Sequence, residues 1–574
     1  MNSDEQYADG LTILEKTGVF LTLSKSCQPI SNHMAHVGGQ CPQGANSKLP
    51  FNLCWGQSMT KNVRNIPTVV PGYGPVRPFS GVDAATQTVT RAAVNMRTET
   101  TGRTKLLPDI ATALRECGVR DGAVLSFHHH LRNGDHVMNL VVDQAARLGL
   151  RDLKLAASSI FPVHAPLVEH MKSGVVTGVY SGYVAGPVAQ AISAGMLKNP
   201  AVLQTHGGRA RAIESGELTI DVAFVAAPTA DDYGNINGVQ GRSACGVLGY
   251  AEVDARAARR VVAVTDNLVA YPACPAEITQ DFVDFVVAVP EIGDATQIVS
   301  GSTRITQDSA GLEIARVASE VINASGLLVD GFSFQTGAGG ISLAVAKYVE
   351  ERMKSRKVRG GFAAGGVTGT IVEMLEEGLF RSVFDVQCFD MRAVHSYREN
   401  PLHRGMSASL YANPWNRGAV VNRLDTMILG AAEVDLDFNV NVSTRSDGVL
   451  LGGSGGHADT ASGSKLAIVT TKLRAGQFAK IVENVTTVTT PGSTIDVVVT
   501  EAGVAVNPLR EDLADRLATA GVKLVPLAKL YDLARADMAV PILPARGGRI
   551  VALQQYRDGS VIDVLTEVAS GRRT

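Results

Sequence analysis

The sequence predicts an α/β protein of two similar domains, each a mainly parallel sheet flanked by helices, with the working site in the cleft between them. Three observations lead there. Strand, glycine-bearing turn and helix recur through both halves of the 574 residues. Glycine is abundant, at 58 residues, while aromatic residues are only 5%; α/β folds use glycine in their many strand-to-helix turns. The length suits several domains with ample core in each.

Composition narrows the function. Hydrophobic residues make up 45%, charged residues 19%, and the net charge is −2. That balance gives no reason to expect nucleic acid or a membrane surface as partner. No apolar run reaches the roughly 18 residues of a membrane span. The N-terminus lacks a charged start followed by an apolar stretch, so no secretory signal is expected. Cysteines stand at 27, 41, 54, 117, 245, 274 and 388. An odd number without CxxC spacing points to reduced thiols and a cytoplasmic location. None has zinc-site spacing, and no metal is expected.

In chain order, residues 1–58 show little periodicity and are expected to be disordered, peripheral or a non-native start. Residues 59–104 carry the Pro/Gly-rich IPTVVPGYGPVRPFSG and read as an arm laid on a surface. A first domain is expected over 105–305. It opens with DGAVLSFHHHLRNGD, read as strand, loop and helix start, with Asp135 as a candidate cap. On the strand, His128 and His130 would share one face with Ser126, and His129 the other. These histidines could line a polar crevice at the strand's carboxyl end, bond the following loop, or hold a metal, although no further ligand at metal spacing lies nearby. Further on, Thr205-His206-Gly207-Gly208-Arg209-Ala210-Arg211 sets two arginines beside a glycine pair. They could dock a carboxylate bidentately, or form a solvated basic helix end.

A second domain is expected over 306–540, and a C-terminal hairpin over 541–574, turning at Asp558-Gly559. Two strand–glycine–helix units follow each other in FSFQTGAGGISLAV and VRGGFAAGGVTGTIVEML. Their glycines, Gly337, Gly339 and Gly340, then Gly365 and Gly366, feed helix N-termini, where free N–H groups favour an anion. The spacing is not GxGxxG, which discounts a nicotinamide cofactor. The stretch Glu433 to Lys465 then opens as a strand and runs into Gly452-Gly453-Ser454-Gly455-Gly456-His457-Ala458-Asp459. Bare backbone of this kind can aim N–H groups at an oxyanion, and Gly455, Gly456 and His457 are the candidate donors. A flexible turn between strands is the alternative.

SFHHHLRNGD, LAASSIF, THGGRARAIESGELTIDVAF, APTADDYGNINGVQGRSACG, FQTGAGGISLAV and YRDGSVIDV together resemble the alpha chain of bacterial citrate lyase, from about Gly72 onward. AAEVDLDFNVNV, GGSGGHAD and VVVTEAGVAV are similar to coenzyme A-transferases and acetyl-CoA hydrolases more broadly. The resemblance implies two coenzyme A-transferase-type domains. It implies exchange of the acyl group on a thioester carrier, turning acetyl-carrier and citrate into citryl-carrier and acetate. Implied partners are an acyl carrier (gamma) subunit with a coenzyme A-like arm, a citryl lyase (beta) subunit, and further copies in an oligomer. Coenzyme A or that arm enters as substrate, and no cofactor stays bound. Arg209, Arg211, His206, His129 and the glycines of the second-half turns are assigned to substrate. One departure stands out: Ser443 occupies the position where covalent members of the wider group carry a Glu nucleophile. The resemblance therefore implies a ternary complex and a mixed anhydride rather than an enzyme-bound thioester.

Overall fold

Runs such as VAFVAA and RVVAVT are apolar on both faces, which suits strands covered by helices on either side. In the computed structural model they form the strands Val222–Ala227 and Arg260–Thr265, buried almost throughout. The structure describes residues 64–82, 104–299, 305–337, 339–538 and 546–568. All fall in one unit, Asn62–Thr574. The expectation for residues 1–58 lies outside the described residues.

Two sheets organise that unit. The first has ten strands, and from Val124–Phe127 onward every neighbouring pair is parallel except the closing hairpin. The second has eight, parallel except for the pair Val497–Thr500 and Gly503–Val506. Both share one plan. Numbered in chain order within each half, the seven main strands lie side by side as 4-3-2-1-5-6-7. Strand 1 is Val124–Phe127 in the first sheet and Ser333–Thr336 in the second. The chain reverses its direction of travel across the sheet beside each of these strands. In such sheets the carboxyl end of the strand at the reversal opens into a crevice, because the flanking connections depart on opposite faces.

The repeat reaches individual side chains. After strand 5 each half adds a small three-stranded sheet, built on Thr229–Asp231 and on Glu433–Asp435. Asp231 accepts from the N–H groups of Tyr233 and Asn235 and from the Asn235 amide. Asp435 accepts from Asp437, Asn439 and the Asn439 amide in the same pattern. The residue before each asparagine is left-handed, Gly234 at φ +93° and Phe438 at φ +63°. Asn237 and Asn441 then each accept, at Oδ1, from the N–H groups two and three residues further on.

The hairpin of Arg546–Gln555 and Val561–Val568 completes the first sheet rather than standing apart, with Ala552–Gln554 paired parallel to Ala201–Leu203. The arm residues Pro78 and Phe79 join it in turn, through a bridge and a bond to Val561. Asp135 precedes the helix Val137–Arg147 and accepts from the Val137 N–H at 3.2 Å, as well as from His164.

Candidate active site

The carboxyl ends of the two reversal strands face one cavity of about 350 Å³. His129 and Arg132 come from the loop after Val124–Phe127, and Gln335, Thr336 and Gly337 from the end of Ser333–Thr336. The glycine loop closes a third side with Gly453, Ser454, Gly455, Gly456 and His457. Ser159, Tyr183, His206, Tyr250, Gln387 and Tyr411 complete the polar lining. Among the described residues that line it there is no Asp or Glu, and Arg132 is the one Arg or Lys.

The glycine loop belongs to the second half but is bonded to the first. Val184 donates to the Gly452 carbonyl at 3.1 Å, Gly455 donates to Gly182 at 3.0 Å, and His206 donates to Gly455 at 2.7 Å. Backbones approach this closely because side chains are missing: a Cβ on Gly453 would strike the Gly182 carbonyl, and Gly455 sits at φ +51°. The bridge corrects the expectation of three oxyanion donors. The Gly455 N–H is spent on Gly182 and the His457 N–H on Ser454, at 2.8 Å. Only the Gly456 N–H meets no acceptor among the described residues. The His457 ring is anchored too, Nε2 donating to the Gly430 carbonyl at 2.9 Å and Nδ1 accepting from Thr490 at 2.8 Å. Burial pushes that imidazole down to about 4.

Asp459 lies in the first turn of the helix His457–Gly463 but caps a different helix. It accepts from the Gly207 N–H at 2.8 Å and the Thr205 hydroxyl at 2.9 Å, at the start of His206–Glu214, and lies 3.5 Å from Arg557. Burial raises the carboxyl to about 6. The contact ties the helix carrying His206 to the helix behind the glycine loop.

His206 and His129, both assigned to substrate, meet in the cavity with ring centroids 5.7 Å apart and Tyr250 against both at 4.8 and 4.7 Å. Burial, with Arg209 and Arg132 behind it, pushes His206 down to about 3. Burial holds His129 well below the usual imidazole range, and its Nδ1 bonds the Ser158 hydroxyl at 2.6 Å. At neutral pH both rings are uncharged hydrogen-bonding groups. The other two histidines of the run are used within the fold: His128 Nε2 accepts from the Ala226 N–H at 2.9 Å, and His130 packs between His128 and Tyr250.

The two arginines of the GGRAR motif lie elsewhere. Arg209, 2% exposed, grips Asp254 with both nitrogens at 2.7 and 2.8 Å and donates to the Ala156 carbonyl. Arg211 grips Glu217 at 2.6 and 2.9 Å and stacks on Trp415. Helix geometry turns positions 209 and 211 away from the helix start that faces the cleft, so their charge is used inside the fold. Gly340 is also displaced, to a neighbouring basin that it shares with Gly339. Gly365 is absent from the cavity wall; it marks a bulge at φ +108°, where the Gln335 amide fills the place of a side chain. Gly337, Gly339 and Gly366 do line the cavity. Ser443 is buried outside it, donating to Gln554 at 2.7 Å.

Sequence reasoning passed over Arg132, Gln335, Gln387, Tyr183, Tyr250 and Tyr411. Arg132 is the most consequential. Its guanidinium lies 5.2 Å from the Phe161 ring and 4.8 Å from the Phe389 ring, aromatics supplied by opposite halves. Burial lowers it to about 10, so the cation persists at neutral pH. The signal that could have found it is its place in HHHLRNGD, directly beyond a reversal strand.

Known proteins share this arrangement. The family described as citrate lyase, alpha subunit, matches residues 103–568. The citrate lyase alpha chain of Escherichia coli K12 is 48% identical over 464 residues, spanning 81% of this chain and 91% of its own length. That of Klebsiella pneumoniae is 46% identical over 464 residues, with the same coverage of 81% and 91%. Among solved structures, the alpha subunit of citrate lyase from Streptococcus mutans in complex with citrate matches with a TM-score of 0.85 at 44% identity, covering 88% of this chain and 99% of that one. A Pseudomonas malonate decarboxylase hetero-tetramer in complex with malonate shares the fold alone, at 18% identity and a TM-score of 0.55 over 75% of this chain and 86% of that one. The fold is thus the coenzyme A-transferase-like α/β arrangement that the resemblance implied. Matched over residues 103–568 and close to half identical to relatives along nearly their whole length, the chain belongs to the citrate lyase alpha subunit family.

Proposed function

We propose that this chain transfers a thioester carrier from acetyl to citrate, with both substrates bound at once in the cavity at Arg132. One observation carries the reading: a cavity with a single cationic side chain, neutral imidazoles and no carboxylate among its described walls. A carboxylate substrate is attracted there, and no lining carboxylate competes with it as nucleophile.

The first step needs no general base, because citrate's carboxylate is already ionised. Its oxygen attacks the acetyl carbonyl, an O–C bond forms, and the C–S bond breaks with its electron pair leaving on the carrier's sulfur. The thiolate then attacks the citryl carbonyl of the mixed anhydride, and acetate departs. Each attack places negative charge on a carbonyl oxygen. Of the three candidate donors the Gly456 N–H is the one left free, and the His206 ring stands beside it, with Nε2 3.5 Å from the space where Gly455 lacks a side chain. Such donors stabilise charge most strongly where water is excluded. Arg132, stacked between two rings, orients the acceptor acid by a planar fork.

In this reading the carrier is coenzyme A or the coenzyme A-like arm of an acyl carrier subunit, and a separate citryl lyase subunit consumes the product. No helix among the described residues is long and apolar enough to cross a membrane. The test is an exchange assay with the full chain, acetyl-CoA and labelled citrate. Citryl-CoA and acetate should appear in equal amounts. Release of free CoA in the absence of citrate would favour a hydrolase instead.

A further inference from the structure

Tyr411 stands on the short helix Ala408–Ala412 and lines the cavity, although only 3% of it is exposed. The helix is pinned at both ends. Ser407 accepts from the Leu410 N–H at 3.1 Å, and Glu214 accepts from Ser409 at 2.6 Å and from Asn413 at 2.7 Å. The Tyr411 hydroxyl oxygen accepts from the Gln335 amide at 2.7 Å. Gln335 is held in turn by the bulge at Gly365, where its amide occupies the place of a side chain. Among the described residues nothing accepts the proton of the Tyr411 hydroxyl. Burial raises the phenol above its ordinary range, so it keeps that proton at neutral pH. With its oxygen already bonded, the hydroxyl is left with a proton to donate.

That hydroxyl stands over Gly456, whose N–H is free: a Cβ there would lie 2.5 Å from it. The Cβ position is two bonds from the Gly456 nitrogen, so a single oxygen can accept from the hydroxyl and the N–H together. Each attack in the transfer puts negative charge on a carbonyl oxygen. Oxyanion sites combine backbone N–H groups with side-chain donors, tyrosine among them. We propose that Tyr411 is a catalytic residue, its O–H donating with the Gly456 N–H to the carbonyl oxygen that turns negative at each acyl transfer, and that Gln335 positions it. The proton stays on the phenol throughout, and no bond to Tyr411 forms. The inference rests on the transferase reading and adds to it the side chain that answers the developing charge. Glycine at 456 is then needed for two reasons, to bare the N–H and to leave room for the oxygen beside the hydroxyl.

The experiment uses Tyr411→Phe in the full chain, which removes the hydroxyl and keeps the buried ring; thermal melting confirms that it folds. With acetyl-CoA and citrate, kcat should fall by roughly 10²–10³ while both KM values stay near wild type. Infrared spectroscopy of bound acetyl-CoA, labelled with ¹³C at the thioester carbonyl and without citrate, reads the same bond before any turnover. The C=O stretch should lie at higher wavenumber in Tyr411→Phe than in wild type, because a donor to the carbonyl is gone. Gln335→Met should lower kcat in the wild-type background and add little in the Tyr411→Phe background, since it acts through the hydroxyl. Unchanged kcat and an unchanged stretch in the folded Tyr411→Phe would overturn the assignment, and so would a loss confined to KM. Losses that add in full would overturn the role given to Gln335. A wild-type chain that forms no citryl-CoA would instead remove the transferase reading, and the infrared comparison would still decide the role of Tyr411.

Discussion

Three arginines illustrate how much the same side chain differs by setting. Arg209 holds Asp254 inside the fold, while Arg132 reaches the cleft between two phenylalanines. Arg132→Gln should therefore raise citrate KM at least tenfold with little change in melting temperature, and Arg132→Lys should not rescue it, because an ammonium cannot stack and fork at once. Arg209→Gln should instead cost about 3–5 kcal/mol of stability by leaving a buried carboxylate unpaired. Equal kinetic defects in both variants, with stability intact, would contradict this division. The sequence made all of these arginines visible, and the two that it singled out lie outside the cavity. Arg209 and Arg211 look like anion ligands because a glycine pair precedes them, but their partners Asp254, Glu217 and Trp415 come from elsewhere in the chain. For the same reason the rings flanking Arg132 could not be read locally. The glycine loop was legible as an anion-facing turn, whereas the loss of two of its donors to the bridge with Gly182 and within the loop was not. At Gly456 a Cβ would come 2.5 Å from the Tyr411 hydroxyl. Gly456→Ala must then tilt the peptide, and kcat should fall by roughly 10²–10³ with CoA affinity retained. Near-normal kcat in a folded variant would reduce the loop to a turn.

Among the elements, the alternation of strand, turn and helix could be read from periodicity, and so could the closing hairpin. What joined them could not. The hairpin's place in the first sheet depends on pairing across some 350 residues of sequence separation, with Ala552 opposite Ala201. The internal repeat is also nearly silent in the sequence. Only an aspartate, an asparagine four residues on and a second asparagine two beyond recur, because those side chains make the turn while the residues between are free to diverge. Gly234 and Phe438 occupy the same left-handed step. Phe438 tolerates it because its ring is buried, 4% exposed, in the second half's core. Gly234 has no such compensation, and a Cβ there would come 2.8 Å from Val283. Gly234→Ala should cost about 1–2 kcal/mol in denaturant unfolding, since a side chain in this conformation is strained by about that much. A neutral result would show that the turn relaxes.

Over the whole molecule, neutral buried histidines set the response to acid. His128, His206 and His457 are pushed down to about 4, 3 and 4, in each case chiefly by burial. The unfolded chain takes up those protons near pH 6.5, before the folded chain does. The stability they confer is thus complete above about pH 6.5 and is lost as pH falls toward their folded values. Asp459, raised to about 6, works in the opposite direction, favouring the folded state as it protonates. Melting temperature should drop between pH 6.5 and 4, and His206→Gln should make that drop shallower. Parallel curves for the two proteins would mean that His206 titrates normally.

The central claim is direct transfer between two bound substrates in a cleft whose described walls hold no carboxylate. It is tested most directly by following one oxygen through a single turnover with acetyl-CoA and citrate carrying ¹⁸O in its carboxylates. Attack by citrate makes its own oxygen the bridge of the mixed anhydride, and the thiolate's attack on the citryl carbonyl sends that oxygen away with acetate. The predicted result is one ¹⁸O in each acetate released and none in the protein. Unlabelled acetate, with ¹⁸O recovered in a protein carboxylate, would mean that an enzyme side chain had accepted the acetyl group first, and would contradict the account.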